Sequence, residues 1–510
     1  MTRRLEFNIP LNRVEGDLEI RVVAEGGRIV DAWSSGTLFR GFERMLVGRS
    51  SLDGLVMTPR ICGICSVTHL TAAALALDQA SGVVPPPNAV RLRNVALLTE
   101  TIQSDIRQSL LMYMVDFASA GFSARPWYME ARARYAPLRG ERCVAAIKET
   151  KHLLEIIALI GGQWPHTSFM VPGGVVYAPP LSDLGKARHV LKAFRRWYED
   201  SVLGCTLARW RGVDSLDALE TWLDESAAHR ESDLGCLLRH GRDVGLHRIG
   251  VSHGRYLSYG ALSIPEDSKV TGPVVGSSFI PAGFLVDGQV RAFDQARITE
   301  DHSHAWYEDS GVPVHPMAGT TEPVASGAEG RRYSWSKAPR YDGLAAETGP
   351  LAESLMAGDP LFLDLVSRDG GSALTRQVAR LVRPARQLEV LDDWLDELCD
   401  RHAEPFYRSV PSIQEGEGIG LTQAARGALG HWLRIESGRI AHYQIITPTA
   451  WNGSPRDTGG VRGAWEEALL GTPIDDPDEP LLAGMVVRSF DPCLVCTVHL
   501  VGAGRRRLMV

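Results

Sequence analysis

No apolar run in the sequence approaches the roughly 20 residues that a membrane-spanning helix needs. The opening stretch, MTRRLEFNIPLNRVEG, turns polar too early for a secretory leader. Both absences point to a cytoplasmic protein that meets a membrane only through a partner. Cysteine is scarce: eight in 510 residues cannot staple a disulfide scaffold, and in a reducing compartment they would be thiols or metal ligands. An excess of positive charge is also missing. The net charge of −7 excludes nucleic-acid binding by the chain as a whole. There is no internal repeat and no low-complexity linker.

What is present suits a large soluble core, with 44% hydrophobic and 23% charged residues. The segment DLEIRVVAEGGRIVDAW alternates apolar and polar residues on both sides of Gly26-Gly27, which predicts a hairpin. LRIESGRIAHYQII predicts another, turning at Ser437-Gly438. From Ala89 to Ala120 no glycine or proline occurs, and Val95, Leu98, Ile102, Ile106, Leu110 and Met114 recur at helical spacing. Further helices are predicted over Arg142–Ile160, Ser182–Val202 and Leu374–Arg401, the last interrupted at Pro384. Gly250–Gly349 is rich in Gly, Pro, Ser and short strand-like runs and reads as irregular and loop-rich. The expected fold class is α+β: a single large domain, with a bundle of long helices and small peripheral β-sheets.

Four of the eight cysteines stand alone, at 143, 205, 236 and 399, among apolar neighbours; these read as buried small hydrophobes. The other four form two pairs, Cys62/Cys65 in RICGICSVTH and Cys493/Cys496 in DPCLVCTVH, each followed by a histidine, His69 and His499. A CxxC turn lets two thiolates converge on one metal, and two such turns supply a soft ligand set for zinc, an Fe–S cluster or nickel. A structural zinc site made of four cysteines usually keeps its pairs within about 20 residues of each other. Here they lie at opposite ends of the chain, so the site would join the N- and C-terminal regions of a large fold.

The paired motifs resemble those of nickel–iron hydrogenase large subunits. So do RVEGDLE near the start, LFRGFE at 38–43, GGQWPHTSFMVPGG at 161–174, ARGALGHW at 425–432 and PTAWNGSPRD at 448–457. The details are closest to the cytoplasmic uptake branch and the related hydrogen sensors. The resemblance implies that Cys62, Cys65, Cys493 and Cys496 bind nickel, with Cys65 and Cys496 also bridging to an iron that carries CO and two cyanides. Cys493 would accept the proton of heterolytic H2 cleavage, and Glu15 would relay it. Arg456 would stand over the open metal position, with Pro455 beside it and Asp457 and Asp491 orienting it. Thr449 would offer its hydroxyl to a cyanide and His69 would hydrogen-bond a bridging sulfur. Glu43, the backbone carbonyl at Ile445 and His499 would bind Mg2+. An Fe–S small subunit would be the obligate electron partner, and a higher oligomer stays open. Residues 1–499 would be the mature domain. A C-terminal endopeptidase, one of several maturation proteins, would remove the tail 500–510.

The sequence departs from that pattern in places. At the helix position facing the active-site arginine the register puts Ser104, with Asp105 one step on, and Gln423 stands where relatives often have glutamate. His302 and His304 in DHSH would share one face of a strand in a surface or hydrogen-bonding role. Alternative readings are a hydrogen-sensing subunit, a quinone-reductase relative, which would lack the cysteine pairs, and a zinc-stapled structural protein.

Overall fold

The computed structural model describes residues 4–272, 278–324, 326, 330–474 and 476–493. Its N-terminal part is an antiparallel sheet of β1 (Arg4–Pro10), β2 (Leu18–Glu25) and β3 (Arg28–Gly36). Gly26 and Gly27 turn the hairpin with φ of 61° and 76°, the pair of positive values that a tight two-residue turn requires.

Helices α1 (Ser66–Ser81) and α2 (Pro87–Arg107) follow. The helix expected through Ala120 ends its regular part at Arg107. Gln108–Tyr113 forms a wider π-type turn and Met114–Ala118 a 3₁₀ turn. No local residue signals this change. Tertiary hydrogen bonds hold it: the Gln108 amide donates to the Arg488 carbonyl at 2.8 Å and accepts from Gln377 at 3.0 Å. Next come α3 (Tyr128–Tyr135), α4 (Glu141–Gly161), α5 (Leu181–Trp197) and α6 (Asp233–Asp243). The segment expected to be irregular contains a sheet of β4 (Tyr256–Ser263), β5 (Ser278–Val286) and β6 (Gln289–Arg291).

Helix α7 (Ala373–Asp400) runs unbroken through Pro384, against expectation. The proline forfeits the bond to the carbonyl four residues back, a loss on the order of 3 kcal/mol. Neighbours hold the turn: Tyr198 donates to the Leu381 carbonyl at 3.0 Å, and Arg380 and Arg383 are locked into buried ion pairs. Helices α2, α4, α5 and α7 pack as the expected bundle.

The C-terminal sheet has β7 (Gly416–Ala424), β8 (Gly427–Glu436) and β9 (Arg439–Ile446), with the last hairpin turning at Ser437 and Gly438. Helix α1 lies directly on β7. Gly416, Gly418 and Gly420 alternate along the strand and face Ala80, Ala76 and Ala72; a Cβ at any of them would collide with a backbone carbonyl of α1. Small residues on both elements thus bring the helix that follows Cys65 against the C-terminal half. Helix α8 (Leu481–Ser489) then leads into the second cysteine motif. One core of buried residues extends from Ile9 to Cys493, and the molecule is a single α+β domain with small sheets.

Candidate active site

Cys62 and Cys65 lie in the turn just before α1, and Cys493 just after α8. The sulfurs of Cys62 and Cys493 are 3.5 Å apart, and all three sulfurs are buried within 4.8 Å of one another. The chain ends therefore meet as the spacing of the motifs implied. Cys496 and His499 lie outside the described residues. Asp491 takes a left-handed φ of 58° and re-aims the chain before Pro492. The Glu15 N–H then donates to the Pro492 carbonyl at 3.3 Å, and the Cys493 N–H donates to Thr449 Oγ1 at 3.1 Å. Thr449 thus fixes the backbone of Cys493.

Glu15 sits beside this cluster, paired in register with Cys493. Burial, then the neighbouring Cys62, push its carboxyl above the ordinary glutamate range, while Arg426 and Arg40 pull it back. A second glutamate escaped the sequence reading. Glu100 on α2 accepts from the Val67 and Thr68 N–H groups at 2.8 and 2.9 Å, and so caps the first turn of α1 beyond Cys65. Burial raises its pKa to about 7. Nothing in its local sequence marks this long-range cap.

Arg456 is not at the sulfurs. Its guanidinium pairs with Asp31 on β3, touches the Ala32 carbonyl and stacks over Trp33. The cause is electrostatic: although burial pushes Asp31 up, Arg462 and Arg456 hold it below the usual carboxylate range. Asp457 pairs with Arg340 at 2.7 Å, and the Pro455 carbonyl accepts from the same arginine. The SPRD segment is therefore anchored by Arg340 and Asp31, away from the position expected for it.

Arg426, in the ARGALGHW motif, takes the place expected of Arg456. Its Nε donates to the Asp491 carbonyl at 3.1 Å and its Nη2 pairs with Asp491 Oδ1 at 3.2 Å. Burial opposes its charge, but Asp491 and the sulfurs of Cys493, Cys65 and Cys62 outweigh that and hold it protonated. Its Nη1 is buried with no hydrogen-bond partner among the described residues. Behind it runs a buried ladder. Arg380 spans Asp491 and Asp105, and Arg383 spans Asp105 and Glu353. Both arginines also donate to the Ala425 carbonyl, which fixes the backbone that presents Arg426. Asp105, not Ser104, is the helix residue that faces this network, through arginines rather than onto Arg426 itself. Gln423 lies apart, bonded to Ser258.

His69 is buried, with Nδ1 3.1 Å from His431 Nε2; His431 Nδ1 is in turn 2.9 Å from the Tyr443 hydroxyl. Burial keeps His69 neutral, with its pKa down at about 4. The histidine of LGHW and its tyrosine thus set the ring orientation of His69 from behind.

Glu43 and Ile445 do come together. Glu43 Oε1 accepts from the Ile445 N–H at 2.9 Å. The cation between them is the Lys337 ammonium, 2.9 Å from Glu43 Oε1, 3.4 Å from the Ile445 carbonyl and 2.6 Å from Glu300. The sequence reading missed Lys337. His302 and His304 lie just after the strand Ile298–Asp301 and not on one of its faces; His302 bonds the Glu308 carbonyl and His304 bonds Ser303, the hydrogen-bonding role expected.

The model for the family described as nickel-dependent hydrogenase matches residues 40–119 and 242–499, more than half of the chain. An uptake hydrogenase large subunit of Rhodobacter capsulatus is 28% identical, over 97% of this chain and 95% of its own. The periplasmic [NiFeSe] hydrogenase large subunit of Desulfomicrobium baculatum is 29% identical, over 97% of this chain and 94% of its own. Among solved structures, the H2-activated [NiFeSe] hydrogenase of Dm. baculatum superposes with a TM-score of 0.82 at 28% identity, covering 98% of this chain and all of that one. The chain belongs to the nickel-dependent hydrogenase family. It is a hydrogenase large subunit, an oxidoreductase with a nickel–iron centre. The residues present fit that group: three buried sulfurs converge, and a buried guanidinium beside them has one donor nitrogen to spare.

Proposed function

We propose that the chain is the catalytic subunit of an uptake hydrogenase, splitting H2 heterolytically and working toward oxidation. The meeting of Cys62, Cys65 and Cys493 beneath Arg426, with Glu15 alongside, carries this reading. Cys62, Cys65, Cys493 and Cys496 would hold the nickel–iron centre. When bound, the centre would supply the Lewis acidity that polarises H2. The Cys493 sulfur accepts the released proton. Glu15, shifted toward neutrality, relays it outward. Arg426 holds a fixed positive charge over the sulfurs without reorganising during the reaction. The uptake direction rests on relatives named as uptake hydrogenases.

The four isolated cysteines offer no ligand set for an Fe–S cluster, so electrons leave through an Fe–S small subunit. No helix of the described residues is long and apolar enough to cross a membrane. Mg2+ at Glu43, Ile445 and His499 requires Lys337 to retract onto Glu300, its nearest partner. Infrared spectroscopy of the purified complex, with H2-dependent dye reduction, tests the reading. CO and cyanide bands with H2 uptake support it; zinc in place of nickel and iron, with no such bands, refutes it.

A further inference from the structure

Away from the thiol site, the described residues bring together one other trio of metal-ligating side chains. Cys236 and His240 are four residues apart on α6, so both leave the same face of the helix. Glu130 on α3 meets them. One ligand atom from each of the three lies within 4.8 Å of the others. Cys236 Sγ is 3.4 Å from Glu130 Oε1, and His240 Nε2 is 4.0 Å from Glu130 Oε2. His240 is fully buried, and neither ring nitrogen has a hydrogen-bond partner among the described residues. Trp127 stacks on the ring at 4.3 Å and Phe117 meets it edge-on at 5.4 Å. A buried polar side chain left unsatisfied costs about 1–3 kcal/mol; a ligand on the ring would remove that cost. Burial keeps the imidazole neutral, with its pKa down at about 4, the protonation state in which histidine binds metals.

We propose that Glu130, Cys236 and His240 form a site for one zinc-class divalent cation, separate from the nickel–iron centre. Thiolate, imidazole and carboxylate are the donor types of a tetrahedral zinc site, with bonds of about 2.0–2.3 Å and water as the fourth ligand. Without the ion, Arg239 supplies the positive charge. Its Nη2 is 3.1 Å from Glu130 Oε1 and 3.4 Å from Cys236 Sγ. Arg134 lies 3.7 Å from the same carboxylate oxygen. Glu130 and Arg239 are also the solvent-facing members, with side chains 37% and 24% exposed. Arg239 therefore swings outward as the cation enters. Arg134 keeps Asp233 as its partner and is not stranded. The Cys236 thiol loses its proton to solvent as the metal–sulfur bond forms. The bound ion would clamp α3 to α6. The ligands fall between the two segments that the family model matches, 40–119 and 242–499.

The test is zinc titration of the nickel-loaded enzyme, followed by metal analysis after desalting, and a parallel titration with Co2+. One zinc per chain beyond the nickel–iron centre is expected. Glu130→Gln should weaken it at least tenfold, and Cys236→Ala and His240→Ala should abolish it. Cobalt should give a thiolate-to-metal absorption band that Cys236→Ala removes. Zinc should raise the melting temperature of the wild type but not of the variants, and H2 oxidation should stay unchanged throughout. Equal zinc uptake by the wild type and Glu130→Gln, or a cobalt spectrum without the sulfur band, would overturn the proposal. Glu130 is part-exposed and the cobalt spectrum needs no variant, so both readings stand even if the two core substitutions fail to fold.

Discussion

Arg426 and Arg456 carry the same guanidinium, and each follows a motif shared with hydrogenases. Their surroundings separate them. Arg426 has a buried donor nitrogen to spare beside three sulfurs, while Arg456 is spent on Asp31. Arg426→Lys should therefore lose turnover by about 10²-fold or more, because an ammonium cannot hold Asp491 through two nitrogens and still cover the sulfurs. Arg456→Lys should keep most of it. Steady-state H2 oxidation at full nickel loading checks both, and the opposite ranking would restore Arg456. Glu15→Gln should leave the metal centre assembled yet cut turnover by about 10²–10⁴-fold, since the amide carries no proton; wild-type rates would remove Glu15 from the proton path. Serine at any of Cys62, Cys65, Cys493 or Cys496 should abolish activity, as the soft thiolate is lost. Ala at Cys143, Cys205, Cys236 or Cys399 should not.

Elements meet through residues that a propensity scale undervalues. The glycines of β7 look like weak strand residues, yet they let α1 approach to backbone contact. Gly420→Val should lower stability by about 3 kcal/mol or more, visible as a fall in melting temperature, because neither the strand nor the helix carbonyl can give way. A similar melting temperature would show that the contact is loose. Glu466 ties β3 to the short helix Ala464–Ala468, accepting from the Ser34 N–H at 2.8 Å and the Tyr333 hydroxyl at 2.9 Å. Burial raises its pKa to about 7. A carboxyl with a raised folded pKa binds its proton more tightly in the folded state. Stability therefore falls as pH climbs from the unfolded value near 4.5 to about 7, by up to about 3 kcal/mol. Glu466→Gln should flatten that part of the melting-temperature profile, and an unchanged slope would exclude this carboxyl as its source.

On the scale of the whole molecule, the active site is where the chain's two ends are tied. We propose that LVGAGRRRLMV delays closure of the second cysteine pair on the metals until an endopeptidase removes it; burying its three arginines unpaired would be costly. The active enzyme should have an intact mass ending at His499, with the uncut chain lacking nickel. A metal-loaded, fully active chain that still ends at Val510 would rule this out.

The sequence by itself determined the residue types and their order: two CxxC pairs at opposite ends, hairpins at Gly26-Gly27 and Ser437-Gly438, and amphipathic helices whose spacing needs no partner to be read. These are local properties, set by thiolate chemistry, by the φ freedom of glycine and by the 3.6-residue period. Which arginine faces the sulfurs was not local. It depended on Asp31 drawing Arg456 to β3 and on Arg380 and Arg383 pinning the backbone at Ala425. Glu100, Lys337 and His431 were equally silent in the sequence, because each acts on a segment far along the chain. Only tertiary structure could let α7 run through Pro384 or widen α2 into a π-type turn. In both places long-range hydrogen bonds and buried ion pairs outweigh the local preference of the backbone.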